Sequence, residues 1–243
     1  VYARHDGARL KEMRFSTPPT LTASTSAAIR MALSGTFAHD DDVDYVNDML
    51  EPVLIINSME YPLGIYMIGT LTRTHKASSV EDEIEAYDQC LLLQQTRLEK
   101  RLHIAKGEPY TKCITRLLIM AGITRTEITT ARATLPTDRE DWDVGADLLT
   151  IINELLDEIN YERIWFNFAG AAVVQPKRDA DIDNPTVRYV ADAYSILQAD
   201  STSTIDSYDA PNVFIASVPN PDYDGQITAT AVNDNPDSAL STV

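Results

Sequence analysis

The sequence of 243 residues contains few of the residues that form recognisable chemical motifs. It has two cysteines, nine glycines and four histidines. Cys90 and Cys113 form no CxxC pair, so the sequence predicts neither a disulfide framework nor a zinc site, and two buried free thiols are expected. The glycines form neither of the phosphate-binding patterns GxxxxGK[ST] and GxGxxG. We therefore expect no nucleotide site.

Long apolar segments and positive charge are also scarce. The longest apolar runs, such as Leu91–Leu93, are far shorter than the roughly 20 residues of a membrane-spanning helix, so no membrane insertion is expected. Residues 1–15 contain no apolar stretch typical of a secretion signal, and the first residue is Val1, which is compatible with a fragment. The chain has 20 Lys and Arg against 37 Asp and Glu, a net charge of −17. Because this charge repels phosphate backbones, no specific nucleic acid binding is expected.

One segment, residues 96–106, is locally basic. Glu99 interrupts its cationic side chains, and no aromatic residue lies between them for base stacking. A solvated surface is the favoured interpretation. The cationic residues are Arg97, Lys100, Arg101 and Lys106.

Three groups of acids are candidates for a cation site or a catalytic site. Asp40–Asp42 with Asp44 could bind a cation, although a run of like charges more often forms a solvated loop. The four acids Glu81, Asp82, Glu83 and Glu85 could supply a glycosidase pair, but their spacing alone gives no geometry. Residues 179–183 carry acids at the first, third and fifth positions of a calcium loop, yet Val190 stands where the bidentate Glu belongs.

Catalytic motifs with a fixed spacing are missing as well. Neither G-x-S-x-G nor H-E-x-x-H occurs in the sequence. We therefore expect no catalytic residue, no cofactor and no metal, and we expect that the chain is not an enzyme. The four histidines are scattered and are interpreted as surface or loop residues: His5, His39, His75 and His103.

Short apolar runs bounded by turn residues predict strands in the first third of the chain. The predicted strands are 28–33, 53–56 and 65–68, and Asn57-Ser58 is interpreted as the turn that joins the last two into a hairpin. A further strand is expected from about Ser79 to Tyr87, followed by a helix.

The middle of the chain has helical periodicity. A helix is predicted from Glu108-Pro109 to Gly122, with Pro109 in its first turn and Gly122 after its last residue. A second helix, begun by Asp143 or Gly145 and ended before Tyr161, carries an apolar stripe at i, i+3, i+4 and i+7 spacing. The stripe consists of Leu148, Ile151, Ile152, Leu155, Leu156 and Ile159.

The residues after this helix favour β-structure. Residues 163–168 and 171–175, joined by Ala169-Gly170, predict a hairpin. Residues 179–243 contain eleven Asp and one Arg as their only charged residues, with five Pro and the strand-like run Ile227–Val232. Short strands and turns forming a small barrel or sandwich are expected there. The residues alone thus predict an α+β protein in which β-structure flanks a helical middle.

Several segments, in a fixed order over residues 25–240, resemble the hub proteins of phage tails and baseplates. Ala169 and Ala239 depart from that pattern, since a more turn-prone residue and a Pro are usual there. The matching segments are 51–57 (EPVLIIN), 61–69 (YPLGIYMIG), 84–88 (IEAYD), 104–111 (IAKGEPYT), 149–161, 164–170 (IWFNFAG), 208–214 (YDAPNVF) and 233–238 (NDNPDS).

The resemblance implies two β-barrel-like domains flanking the helical segment. These would be an N-terminal domain of residues 1–88, a helical segment of residues 89–160 and an acidic C-terminal β domain of residues 161–243. It also implies a homotrimer in the virion that joins the tail tube to the tip or spike, without catalytic residues. A similar hub forms the N-terminal part of tail-associated lysin proteins, so more chain after Val243 is compatible with it.

Two other functions remain open at this point. A receptor- or glycan-binding β-module at a tail tip would need an exposed aromatic shelf, for which the C-terminal tyrosines are candidates. A part of a cell-wall hydrolase would need a pocket that brings two acids together and raises the pKa of one. The candidate shelf consists of Tyr189, Tyr194, Tyr208 and Tyr223.

Overall fold

The computed structural model describes residues 1–5, 7–178, 184, 188, 211–218 and 227–235. The chain divides into two compact units, Val1–Asp183 and Asn184–Val243. The described residues form fourteen strands and three helices, which confirms the α+β class, with strands in the majority.

Nine strands occupy the first 88 residues. They are β1 (Tyr2–His5), β2 (Ala8–Glu12), β3 (Thr20–Ala23), β4 (Met31–Ala38), β5 (Met49–Glu51), β6 (Val53–Ile56), β7 (Met59–Pro62), β8 (Tyr66–His75) and β9 (Val80–Asp88). Seven of them form one curled, half-barrel sheet in the order β2-β1-β5-β8-β9-β4-β3, and every neighbouring pair is antiparallel. The predicted strand at 79–87 is confirmed as β9.

Strand β9 alternates strictly between the two faces of the sheet. Asp82, Ile84 and Ala86 are buried, and the intervening residues face outward because successive strand side chains point to opposite faces. The buried residues join an apolar core of the sheet that includes Leu33, Phe37, Leu50 and Tyr66.

The first predicted strand was placed too early. Strand β4 begins at Met31, not at residue 28, and runs on to Ala38. The Met31 N–H donates to Asp88 Oδ2 (2.9 Å), which fixes the start of β4 beside the end of β9.

The predicted hairpin has the expected first strand and turn but a different second strand. Strand β6 pairs with β7, Ile56 opposite Met59, and residues 65–68 lie at the junction to β8 and within it. Asn57 and Ser58 both have positive φ (49° and 65°). That conformation makes a two-residue turn, so the second strand must start at once.

Three helices form the second layer of the first unit: α1 (Cys90–Gln95), α2 (Tyr110–Met120) and α3 (Leu148–Glu158). Pro109 is the N-cap of α2, and Gly122 follows its end with φ +80°. Helix α3 begins later than predicted, because Asp147 caps it by accepting the Thr150 N–H (2.8 Å). None of the helices in the described part of the chain is long and apolar enough to cross a membrane.

The apolar stripe of α3 is buried as predicted except at Ile159, which is the C-cap and is half-buried. Leu148, Ile151, Ile152, Leu155 and Leu156 are all fully enclosed. They share a core with α1, α2 and the strands that follow. The helical layer therefore has its own core beside that of the sheet.

A small three-stranded sheet covers these helices. It consists of β10 (Thr126–Ile128), β11 (Trp165–Phe166) and β12 (Ala172–Val174), in the order β10-β12-β11. The predicted hairpin is confirmed by the antiparallel pairing of β11 with β12, whereas β10, parallel to β12, was not predicted.

Gly170 lies in the turn of this hairpin, pressed against the start of β8. It has φ +75°, and a Cβ there would lie 2.6 Å from Cδ1 of Ile65. Its carbonyl accepts a hydrogen bond from Gln89 Nε2 (3.2 Å). The helical layer and the seven-stranded sheet thus meet at a position where the positive φ and the close contact both favour glycine.

In the second unit the described residues include one antiparallel pair, β13 (Val213–Val218) with β14 (Ile227–Val232). The predicted strand 227–232 is confirmed. The three-part domain division stays a prediction; residues 161–178 belong to the first unit, where β11 and β12 pack on the helices.

Adjacent residues of α2 provide a direct test of the helical core. Leu118 is fully buried and Ile119 is 60% exposed. We expect Leu118→Ala to lower the free energy of unfolding by about 2–5 kcal/mol, because the cavity remains partly unfilled. Ile119→Ala is the control and is expected to change it by less than about 0.5 kcal/mol. Equal effects in urea unfolding would contradict the packing described.

Candidate functional site

Asp82 lies at the centre of a charged network in the first unit. Its side chain is 0% exposed. Arg73 Nε donates to Oδ1 (2.7 Å), and His39 Nδ1 lies 2.7 Å from Oδ2. Burial acts to raise the pKa of Asp82, but the hydrogen bonds from Arg73, His39 and Tyr45 outweigh it, so the pKa lies below its ordinary value. Asp82 is therefore held as a carboxylate.

The same network fixes the acidic loop, which we define as residues 39–48. His39, the first residue of the loop, also lies 3.0 Å from Asp41 through Nε2. At the other end, the buried carboxylate of Asp48 lies 2.6 Å from His5 Nδ1 and accepts the Asp44 N–H. Both ends of the loop are thus attached to the sheet by a histidine and a buried aspartate.

Lys11 occupies the position that a cation would take among the acids of this loop. Its Nζ lies 2.8 Å from a carboxylate oxygen of Asp40 and 2.8 Å from one of Asp42. Across the described ranges, no group of three or more His, Cys, Asp and Glu side chains is placed to hold a metal ion. The arrangement is that of a neutralised loop.

The four acids of β9 are not brought together. Glu83 and Glu85 are exposed on the outward face with Glu81, while Asp82 points to the opposite face and is paired with Arg73. A glycosidase needs one carboxylic acid of raised pKa beside a second carboxylate. In Asp82 the shift is in the opposite direction.

The outward face of the central strands is polar and carries these glutamates in a row. Cross-strand partners are Ser34 and Thr70 for Glu85, and Thr36 and Thr72 for Glu83. We call this surface, with Glu81 and Thr74, the glutamate face. Hydroxyl-bearing residues lie on both sides of Glu83 and Glu85. Lys76 forms an ion pair with Glu81.

The basic segment 96–106 is bound to acidic residues of the same chain. Arg101 pairs with Asp143 (2.5 Å), and His103 Nδ1 lies 2.9 Å from Glu140. Arg97 donates to the Gly145 carbonyl (2.9 Å). Arg101, one of the four cations of the segment, is thus neutralised by an acid, while Arg97 is bound to a backbone carbonyl.

The remaining sequence candidates divide into two groups. Cys90 and Cys113 are buried free thiols, as predicted, and burial raises the pKa of both. The candidate calcium loop at 179–183 and the candidate aromatic shelf of Tyr189, Tyr194, Tyr208 and Tyr223 lie outside the described residues.

The β6–β7 hairpin exposes an apolar surface that the sequence did not predict. Opposite residues of an antiparallel pair share a face, so Leu54, Ile56, Met59 and Tyr61 form one wholly apolar face. These four side chains are 44–61% exposed, and Ile55 on the other face is 60% exposed. Isolated two-stranded hairpins are marginally stable in water, and clustered exposed apolar residues mark interaction surfaces.

The base of the hairpin is firmly held. Arg9 of β2 donates to Glu51 of β5 (2.9 Å) and to Glu60 of β7 (2.7 Å), so one guanidinium joins the sheet to the hairpin. Leu63 N–H also donates to the Pro52 carbonyl (2.9 Å). The hairpin is presented to solvent in a defined position.

The chain is similar to solved structures of tail proteins. The tail protein from Neisseria meningitidis matches 99% of the chain and 68% of its own length, with TM-score 0.62 and 13% identity. The 43 kDa tail protein of prophage MuSo2 from Shewanella oneidensis matches 96% and 68%, with TM-score 0.59 and 11% identity. The chain has the fold of prophage tail proteins.

A third tail protein has the same arrangement. The prophage tail protein gp18 from Listeria monocytogenes matches 93% of the chain and 64% of its own length, with TM-score 0.57 and 14% identity. No protein-family model and no curated protein sequence matches the chain. The likeness lies in the tail-protein fold rather than in the sequence.

The acidic loop and the β9 acids are separate groups in the sequence, and the structure joins them through His39 and Asp82. A signal was present, since Asp82 shares its strand face with Ile84 and Ala86 and therefore had to be buried. An acid on a buried face needs a partner. Nothing in the sequence identified His39 or Arg73 as that partner.

The His39–Asp82 pair makes the stability of the chain depend on pH. The hydrogen bond to Asp82 raises the pKa of His39 above its ordinary value. Stability from this pair is therefore complete below about pH 6.5, the histidine pKa in an unfolded chain, and is lost as pH rises through the raised pKa. We expect His39→Gln to destabilise the chain more at about pH 5.5 than at about pH 9.

Chemical unfolding of wild type and variant across this pH range measures the difference. His103→Gln is the control, because His103 and its partner Glu140 are both exposed and exposed pairs contribute little. A His39→Gln difference that stayed constant with pH would contradict the assignment.

Proposed function

We propose that this chain is a structural hub of a phage or phage-like tail, located in the baseplate or tail tip of the virion. It would form a homotrimeric ring that joins the tail tube to the tip or spike. The observation that supports this most is the match to three tail proteins over 93–99% of the chain, at a sequence identity too low to reflect anything but a shared fold.

The proposal includes the chain's neighbours and its location. As a hub it would be assembled in the host cytoplasm and would contact the tail tube or distal tail protein, the tape measure and the tip or spike. We propose no enzymatic role, and we propose that the half-barrel sheet of the first unit is one of two β-barrel-like domains of the ring.

The charge distribution supports a ring through which DNA passes. In our proposal the glutamate face lines the channel. A wall of hydroxyl and carboxylate groups repels a phosphate backbone and leaves DNA free to slide. The pairing of Arg101 and His103 with acids of the same chain is in keeping with a protein that does not retain nucleic acid.

The mass of the chain in solution tests the ring. We expect light scattering coupled to size exclusion to give three times 27.0 kDa. Because each copy carries a charge of −17, added salt screens the repulsion between copies and should strengthen the association. A monomer at every concentration and salt tested would contradict the homotrimer, and glycan binding would then be measured next.

A further inference from the structure

The exposed tip of the β6–β7 hairpin is uncharged in a strongly acidic chain. Residues 52–59 contain no Asp, Glu, Lys or Arg, and the first charged residue after them, Glu60, is paired with Arg9. Two copies of a chain with charge −17 repel each other wherever their acidic surfaces meet. A neutral apolar surface is where a second copy can approach without that cost.

A second neutral surface lies along β3. Residues 15–29 contain no charged side chain, and all four residues of β3 are exposed. Within the described part of the chain β3 pairs only with β4, so its other edge has unpaired backbone groups. Charged side chains and short length both protect edge strands; β3 is short, with four residues, but carries no charge.

A pocket continues this surface beyond the end of β3. It has a volume of about 310 Å³ and is lined by residues 23–25 together with Met31, Trp165 and Phe166. Arg30 and Glu162 lie at the same pocket, 4.0 Å apart, with opposite charges. An apolar side chain from a neighbouring copy fits such a neutral, mostly apolar recess.

The two surfaces lie at different positions in the sheet. The hairpin follows β5, while β3 is the last strand at one edge, and β8, β9 and β4 lie between them. Four inter-strand spacings correspond to about 19 Å along the sheet. A contact between these surfaces on two copies joins unlike patches, and such heterologous contacts form a ring when the rotation between copies closes.

We propose that the β6–β7 hairpin of one copy docks against the β3 edge of the next copy, with its apolar side chains covering the neutral surface and pocket there. This contact rests on the proposed homotrimer and specifies its interface. Each copy inserts one hairpin and receives one. Stable interfaces bury about 800 Å² per partner. Because each copy makes one contact through its hairpin and another through its β3 surface, both surfaces contribute to the area buried per copy.

Site-specific crosslinking tests the contact in the full 243-residue chain. The native cysteines are buried, so Met59→Cys in the hairpin and Thr22→Cys in β3 are the reactive positions for a short bis-maleimide. We expect the double variant to give covalent trimers and an equal mixture of the two single variants to give dimers. Each single variant alone should give none, because like positions do not meet in a heterologous contact.

A charge placed in the hairpin tests its contribution to association. Ile56, on the apolar face of the hairpin, and Ile119, on α2, are both exposed isoleucines (49% and 60%), so Ile56→Glu and Ile119→Glu are a matched pair. Burying an unpaired carboxylate is costly, and we expect Ile56→Glu to raise the dissociation constant of the ring by at least about tenfold. Ile119→Glu should leave it unchanged. Circular dichroism and thermal unfolding confirm that both variants fold.

The outcomes separate this inference from the proposed function. A trimeric wild type without crosslinks, whose mass is unaffected by Ile56→Glu, overturns the hairpin contact and leaves the ring standing. Crosslinking of Met59→Cys alone also overturns it, because that indicates a twofold contact. If the wild type is monomeric and the double variant gives no crosslink at high concentration, both the contact and the ring are rejected.

Discussion

The buried carboxylates of β9 determine how the first unit is put together. Asp82 binds Arg73 on β8 and His39 at the start of the acidic loop. At the other end of β9, Asp88 accepts the N–H groups of Met31 and Cys90, which begin β4 and α1. Burial raises the pKa of Asp88, whereas ion pairing lowers that of Asp82. One strand thus connects its two neighbours, the loop and the helical layer.

The parts of the fold that could be predicted are those in which one face of an element is buried. The apolar residues of α3 recur at helical spacing and are buried on one face. Asp82, Ile84 and Ala86 recur at every second residue and mark the buried face of β9. The hairpin was predicted in the wrong register because residues 65–68 are a more apolar partner for β6 than β7 is. The positive φ of Asn57 and Ser58 outweighs that preference.

The candidate surfaces were harder to predict, for a physical reason. An apolar run such as residues 53–56 has the same sequence pattern whether it is buried in its own chain or exposed for another. Likewise, His39 and Asp82 are 43 positions apart, and only the folded sheet brings them together. The exposure of residues 53–56 and the distance between His39 and Asp82 both depend on the whole fold. Neither can be read from the neighbouring residues in the sequence.

The close approach at Gly170 has a mechanical consequence. Because no side chain separates its backbone from Ile65, the turn between β11 and β12 rests directly on the residue that leads into β8. Close-packed interiors are stiff and transmit strain. A displacement of the β11–β12 turn is therefore passed to the start of β8 through the side chain of Ile65, with no second side chain between them to absorb it.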